Sequence, residues 1–231
     1  MIEDAKEALR DGHGFEKEYR FTEQGDGAVG MVCGGSVRVL LEVVRPPVPL
    51  LIFGGGHVGR ELARMCVRLD FDVTVVDDRP EYLEPHRFPE GIRTLRVEHD
   101  FSAGLPEIPP GAYVAVVTRC HRTDLAALCH AVGRGAAYVG LIGSRRKIAT
   151  VLARAGQNGA PGESLAEVRA PIGLPIGAET PEEIAVSIAA EMITVRSANA
   201  AGRHGAHDVP AREVPADVTP IARGRGARRR P

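Results

Sequence analysis

No two of the four cysteines, at positions 33, 66, 120 and 129, form a C-x-x-C pair, so neither a disulfide framework nor the spacing of a structural zinc site is present. No apolar run approaches the roughly 18 residues that cross a membrane. The amino-terminal stretch MIEDAKEALRDG is charged and has no apolar signal region, which predicts a cytoplasmic chain without membrane attachment. Lys and Arg (29) nearly balance Asp and Glu (30), so no general attraction to nucleic acid or to an anionic surface is expected. The remaining composition, 44% hydrophobic and 26% charged over 231 residues, is that of a globular protein. One main core with appendages follows.

The most informative stretch is residues 50–59, LLIFGGGHVG. Four apolar residues read as a buried parallel strand, and Leu62, Met65, Cys66 and Leu69 repeat at the spacing of a helix face. Between them, Gly54, Gly56 and Gly59 fill G-x-G-x-x-G. The first glycine permits the turn, the second lets backbone approach a pyrophosphate, and the third lets helix and strand pack closely. The helix N-terminus offers N–H groups to an anion. Asp77 ends a second strand (73–76), 18 residues after Gly59, near the spacing of an acid that binds ribose hydroxyls.

Further along, residues 1–31 are mixed, polar and too short for a core of their own. Residues 36–44, SVRVLLEVV, read as a strand that Pro46, Pro47 and Pro49 end, placing a domain boundary near Pro49. Strands are expected around 94–97, 113–117 and 138–142, with a helix between the last two carrying Leu125, Leu128, Cys129 and Val132. Thr180, Pro181 and Glu183 form a capping box that starts a helix to Arg196. That helix is apolar nearly all round, with a polar stripe of Ser187, Glu191 and Thr194, which predicts burial on more than one side and a homodimer. From residue 197 onward Ala, Gly, Pro and Arg dominate, and a disordered tail is expected.

Alternating strands and helices predict an α/β fold, an open parallel sheet with helices on both faces whose ligand lies beyond the carboxyl ends of the strands. His57, Asp77, His121 and Ser144 fall there, as does the loop of Gly143, Ser144, Arg145, Arg146 and Lys147, which suits a phosphate. Each has a plainer reading. His57 is equally a solvated turn residue, Asp124 a helix cap, and the basic run a solvated face. Cys66 and Cys129 lie on apolar helix faces and read as core. Cys33, in VCGGS, sits among glycines that expose backbone N–H groups, so it is either buried or a reactive thiol. Cys120 beside His121 lacks the further ligands that a metal site requires.

The motifs GMVCGGSV, LIFGGGHVG, VVDDRPE, TRCHRTD, YVGLIGSRRK and PIGLPIGAETPEEIAVSIAAE occur in this order. Together they resemble the xanthine dehydrogenase accessory factor family of XdhC/CoxI type, over roughly residues 30–196. The resemblance implies a Rossmann-like domain (49–196) after a short, truncated N-terminal segment (1–48), followed by the tail (197–231). It also implies a protein that binds molybdenum cofactor, as molybdopterin or its dinucleotide form, and helps deliver the sulfurated cofactor to a molybdenum hydroxylase apoenzyme such as xanthine or carbon monoxide dehydrogenase. A cysteine desulfurase is the implied sulfur donor. The cofactor-binding candidates are Gly54, Gly55, Gly56, His57, Gly59, Asp77, His121, Gly143, Ser144 and Arg145; Cys33 is the candidate thiol, and no metal ligands are assigned. Two alternatives use the same residues: an oxidoreductase, which the glycines and Asp77 support, with Arg79 nearby leaving the choice of NAD or NADP open, but which lacks a second domain for its substrate, and a nucleotide-binding regulatory module.

Overall fold

The structure is a computed structural model that describes residues 1–21, 30, 34–44 and 46–202. Cys33 and residues 203–231, which hold most of the expected tail, lie outside the described residues.

Five strands, β3 (Val48–Phe53), β4 (Phe71–Asp77), β5 (Arg93–Arg96), β6 (Tyr113–Val116) and β7 (Tyr138–Leu141), pair in parallel in the order β5-β4-β3-β6-β7. Their near-continuous apolar sequences follow from cover on both faces. Successive strand side chains point to opposite faces. Leu50, Ile52, Val73 and Val75 therefore pack on Leu62 and Ala63 of α2 (His57–Cys66) and on Ile188 and Met192 of α6 (Pro181–Gly202). Leu51, Phe53, Val114 and Val116 face Ala127 and Leu128 of α3 (His121–Ala131) and Ile148 and Val151 of α4 (Arg145–Gln157). A short α5 (Gly162–Ala166) follows α4. The expected α/β class, parallel sheet and helices on both faces are all present. Because β3 lies between β4 and β6, the order reverses there and opens a crevice over the carboxyl ends of β3 and β6.

Several local expectations are corrected. Residues 1–31 carry α1 (Ile2–Asp11) and β1 (Phe15–Arg20), which pairs antiparallel with β2 (Ser36–Leu41). Tyr19 and Ala8 are buried there, and the Tyr19 hydroxyl donates to Asp4 (2.9 Å), whose carboxylate also pairs with Lys17. These contacts join residues 13 and 15 apart, which no local periodicity reveals. Pro49 lies within β3 rather than before it. It pairs with Asp72 of β4, while β6 joins only from Leu50, so its missing N–H falls at the strand's start.

The capping box of α6 forms as expected, with Glu183 N–H on Thr180 Oγ1 (3.2 Å) and Thr180 N–H on Glu183 Oε2 (3.1 Å). The helix continues past Arg196 to Gly202. Its polar stripe partly faces protein: Ser187 donates to Leu174 O (2.6 Å), while Glu191 accepts from Tyr138 Oη (2.6 Å) and Gly173 N–H (2.9 Å). Its solvent side carries the exposed Val186 (45%) and Ile193 (37%) together with exposed Glu182, Glu183 and Thr194. Among the described residues, no helix is long and apolar enough to cross a membrane.

Candidate functional site

The glycine turn joins β3 to α2 at the switch point of the sheet. Gly54 has φ +114°, and a Cβ there would lie 2.5 Å from Val117 O, on the neighbouring strand end. A Cβ on Gly59 would come within 1.8 Å of Gly54 O, so strand and helix touch backbone to backbone. Both glycines are demanded by the protein itself. Gly56 is different, because a Cβ there meets no atom within 4 Å. It is the N-cap of α2, and no side chain caps that end, so the N–H groups of the first turn lack a side-chain acceptor and favour an anion. His57 is exposed in the same turn.

Asp77, expected to bind ribose hydroxyls, is 1% exposed. Its Oδ1 accepts from Arg79 N–H and Arg79 Nε (both 3.0 Å), and its Oδ2 accepts from Gly55 N–H (2.8 Å) and Arg79 Nη2 (3.1 Å). The carboxylate thus buttresses the glycine turn. The Arg79 guanidinium stacks 3.7 Å over the Tyr82 ring, and Arg87 donates to Gly55 O (3.2 Å).

Next to it, Asp78 is buried and bound by both Nη atoms of Arg119 and by Asp100 N–H (2.8 Å). Burial pushes the pKa of this carboxyl up, but the guanidinium and the N–H more than offset that and hold it well below its usual range. Arg119 Nη2 continues to Asp100 (3.0 Å), which also pairs with Arg122 (2.8 Å). This network ties the ends of β4 and β6 to α3. His99 lies beside the two aspartates at metal-ligand distance, yet both carboxylates already face guanidinium groups. The arrangement is that of an ion-pair network. Arg79 was expected only as a neighbour bearing on the choice of dinucleotide; Asp78, Asp100 and Arg119 were not among the expected site residues.

At the start of α3, Cys120 is the N-cap and His121, exposed, the first helical residue. Burial raises the Cys120 thiol, but the Thr123 hydroxyl, the N–H groups of Thr123 and Arg122 and the charge of Arg119 outweigh it and lower the pKa below its ordinary value. Asp124 does not cap α3. It is fully buried, accepts from the Thr118 hydroxyl (2.6 Å), and lies 2.5 Å from Lys147 Nζ on α4. Burial dominates and pushes its carboxyl pKa up, against the pull of Lys147. Lys147 is therefore engaged in clamping two helices rather than offered to a phosphate. Ser144 caps α4 through Lys147 N–H (3.3 Å), Gly143 precedes it with φ +155°, and Arg145 and Arg146 are exposed.

The candidates 54–59, Asp77, His121 and 143–145 thus all lie beyond the carboxyl ends of β3, β4, β6 and β7. Cys33 has no described position. A cleft of about 630 Å³ lined by Tyr138, Arg169 and Glu191 lies at the amino end of β7 and contains none of the candidates. The glycine turn and the uncapped start of α2 lie at the opposite end, at the topological switch point.

A parallel sheet of this order, with a glycine turn at the switch point, defines a Rossmann-type domain. The chain belongs to the XdhC Rossmann domain family, whose profile matches residues 50–192. It is 35% identical over 204 residues to the Escherichia coli protein YqeB, covering 87% of this chain and 37% of that protein. It is 28% identical over 161 residues to a Bacillus subtilis protein named as a probable xanthine dehydrogenase subunit, covering 70% of this chain and 47% of that protein. A crystal structure of a xanthine dehydrogenase from Bacillus halodurans has the same fold, with TM-score 0.58 and 24% identity over 85% of this chain and 64% of that one. The chain therefore spans less than half the length of these two sequence relatives.

Proposed function

We propose that this chain is an accessory protein of the xanthine dehydrogenase system, which holds a phosphate-bearing molybdopterin cofactor and passes its sulfurated form to a molybdenum hydroxylase apoenzyme. The observation that carries this is Gly56. Packing does not require a glycine there, whereas a phosphate drawn to the first turn of α2 does. Family membership and the Bacillus subtilis relative's name support the xanthine dehydrogenase setting.

In this reading the 54–59 turn takes the phosphate of molybdopterin, and Ser144, Arg145 and Arg146 take a second phosphate where the cofactor is a dinucleotide. The bound cofactor supplies the molybdenum and its sulfur; the protein supplies binding, orientation and exclusion of water. His57 and His121, both exposed at the crevice, provide polar contacts to the pterin edge. Cys33 serves as a thiol for sulfur received from a cysteine desulfurase. A second copy of the chain covers Val186 and Ile193 on the outer side of α6.

The test is direct. Purified protein is mixed with molybdopterin, separated from unbound cofactor and analysed by mass spectrometry, then offered to apo-hydroxylase. Parent protein should retain cofactor and restore activity, and Gly56→Val should do neither while melting at the parent's temperature. Equal retention by a folded Gly56→Val protein places the cofactor elsewhere.

A further inference from the structure

We infer that the groove between α2 and α6 is the face on which two copies of this chain meet, antiparallel about a two-fold axis, with Arg68 of each copy against Glu182 of the other. This gives a place and a register to the second copy proposed above and is independent of what the crevice binds. The groove is a cleft of about 630 Å³ with an apolar floor of Met65, Leu69 and Val186. Val186 is 45% exposed, and Ile193, 37% exposed, stands two helical turns further along the same face of α6. Ala190, half-buried, lies between them, so a facing helix can come close there. An exposed apolar row rimmed by charge marks a contact with another protein surface.

The charges on the rims say which surface that is. Arg64 and Arg68 stand on the α2 side, and Glu182 and Glu183 on the α6 side. Arg64 is engaged with Glu61 (3.4 Å) and Arg87 O (2.9 Å), and Glu183 closes the capping box. Among the described residues, Arg68 and Glu182 are exposed and have neither a hydrogen bond nor an ion pair. They also stand at opposite ends of the groove. Arg196 donates to Leu69 O (2.8 Å), so the later turns of α6 lie beside Arg68 and Leu69. Glu182, 14 residues before Arg196, lies about 21 Å back along the helix axis. A groove with a free cation at one end and a free anion at the other is complementary to itself after a half-turn across its length, and the two resulting pairs are equivalent by symmetry. A half-turn about the groove's own length would set like ends together. The antiparallel arrangement also lays Val186 of one copy against Ile193 of its partner, because the two sit on either side of Ala190. Exposed ion pairs add little affinity, which the apolar floor supplies; the charges fix the register by making the parallel arrangement repulsive.

The experiment is analytical ultracentrifugation of the full chain at micromolar concentrations, for the parent, Arg68→Glu, Glu182→Arg and the variant carrying both, with melting temperature and molybdopterin retention measured on the same preparations. The parent should be a dimer. Each single reversal sets like charges together at both ends and should weaken dimerisation at least about tenfold. The double variant should recover, because both pairs return with their signs exchanged, and an equimolar mixture of the two single variants should form a mixed dimer in which both pairs attract. Glu182→Gln, which removes a charge without reversing it, should weaken the dimer less and reduce its salt dependence, and it carries the test if a reversal does not fold. A monomeric parent overturns the inference and removes the second copy with it. Folded single variants and Glu182→Gln that dimerise as tightly as the parent, or a folded double variant and mixture that do not recover, overturn this face and register while the second copy stands. A parent that dimerises with this charge-swap pattern but retains no molybdopterin supports the inference and removes the cofactor reading.

Discussion

Replacing Lys147 by Met leaves the fully buried Asp124 carboxylate facing an apolar side chain in place of an ammonium 2.5 Å away. The thioether chain keeps most of the volume, so the loss is electrostatic. Removing one partner of a buried ion pair costs about 3–5 kcal/mol. Lys147 is 28% exposed and Thr118 still donates to Asp124, which favours the low end, about 3 kcal/mol, or a fall in melting temperature of about 6–12 °C for a domain of this size. The pH dependence carries the sharper signature. Burial raises the folded-state pKa of Asp124 above its unfolded value, so its contribution is fully present below the unfolded pKa and is lost as pH rises through the folded one. Without Lys147 the folded pKa rises further. The deficit of Lys147→Met should therefore be small near pH 4 and grow toward pH 8, measured by urea unfolding at each pH. Asp4 and Asp78, whose folded pKa values are depressed, lose stability in the opposite direction, but they do so in both proteins and cancel in the difference. Asp124→Asn, Lys147→Met and the double variant complete a cycle in which the double loses less than the sum. A Lys147→Met deficit under about 0.5 kcal/mol, the scale of a surface substitution, or one that is the same at pH 5 and pH 8, refutes the clamp.

The two outer glycines of the turn should behave differently from the middle one: Gly59→Ala forces a Cβ to 1.8 Å from Gly54 O and should lower stability by more than about 3 kcal/mol, whereas Gly56→Ala meets no atom within 4 Å and should melt within a degree or two of the parent. Thermal unfolding followed by circular dichroism distinguishes them, and similar losses at both positions contradict the geometry. Among the described cysteines, Cys120 should be alkylated by iodoacetamide before Cys129 and well before Cys66, because its pKa is lowered, that of Cys129 is raised, and that of Cys66 is pushed up to about 12 by burial; peptide mass spectrometry after timed quenching at pH 7 reads the order. Light scattering should give a dimer mass, and Val186→Glu with Ile193→Glu a monomer of unchanged helicity, if a second copy covers α6; a monomeric parent removes that partner.

What the chain alone determined is whatever a short stretch decides for itself. The run from Leu50 into Gly54, Gly56 and Gly59 could be read because strand, turn and helix start are adjacent, and a Gly59 Cβ meets Gly54, five residues away. The capping box of Thr180 and Glu183 could be read for the same reason, as could the parallel strands from their apolar runs. The tertiary structure decided the partners. Asp77 has the spacing of a ribose ligand, but its role as a saturated buttress depends on Gly55, 22 residues away, and on how Arg79 folds back over Tyr82. Asp78 meets Arg119 across 41 residues, and Lys147 leaves its basic run to meet Asp124. Periodicity states which face of an element is apolar, not which element lies against it, so the inward turn of Ser187 and Glu191 on α6 also appears only in the fold. Charges written side by side in a chain look solvated because nothing local pairs with them. The sheet brings their counter-charges from other strand ends, and burial at those ends makes the pairing strong enough to shape the crevice.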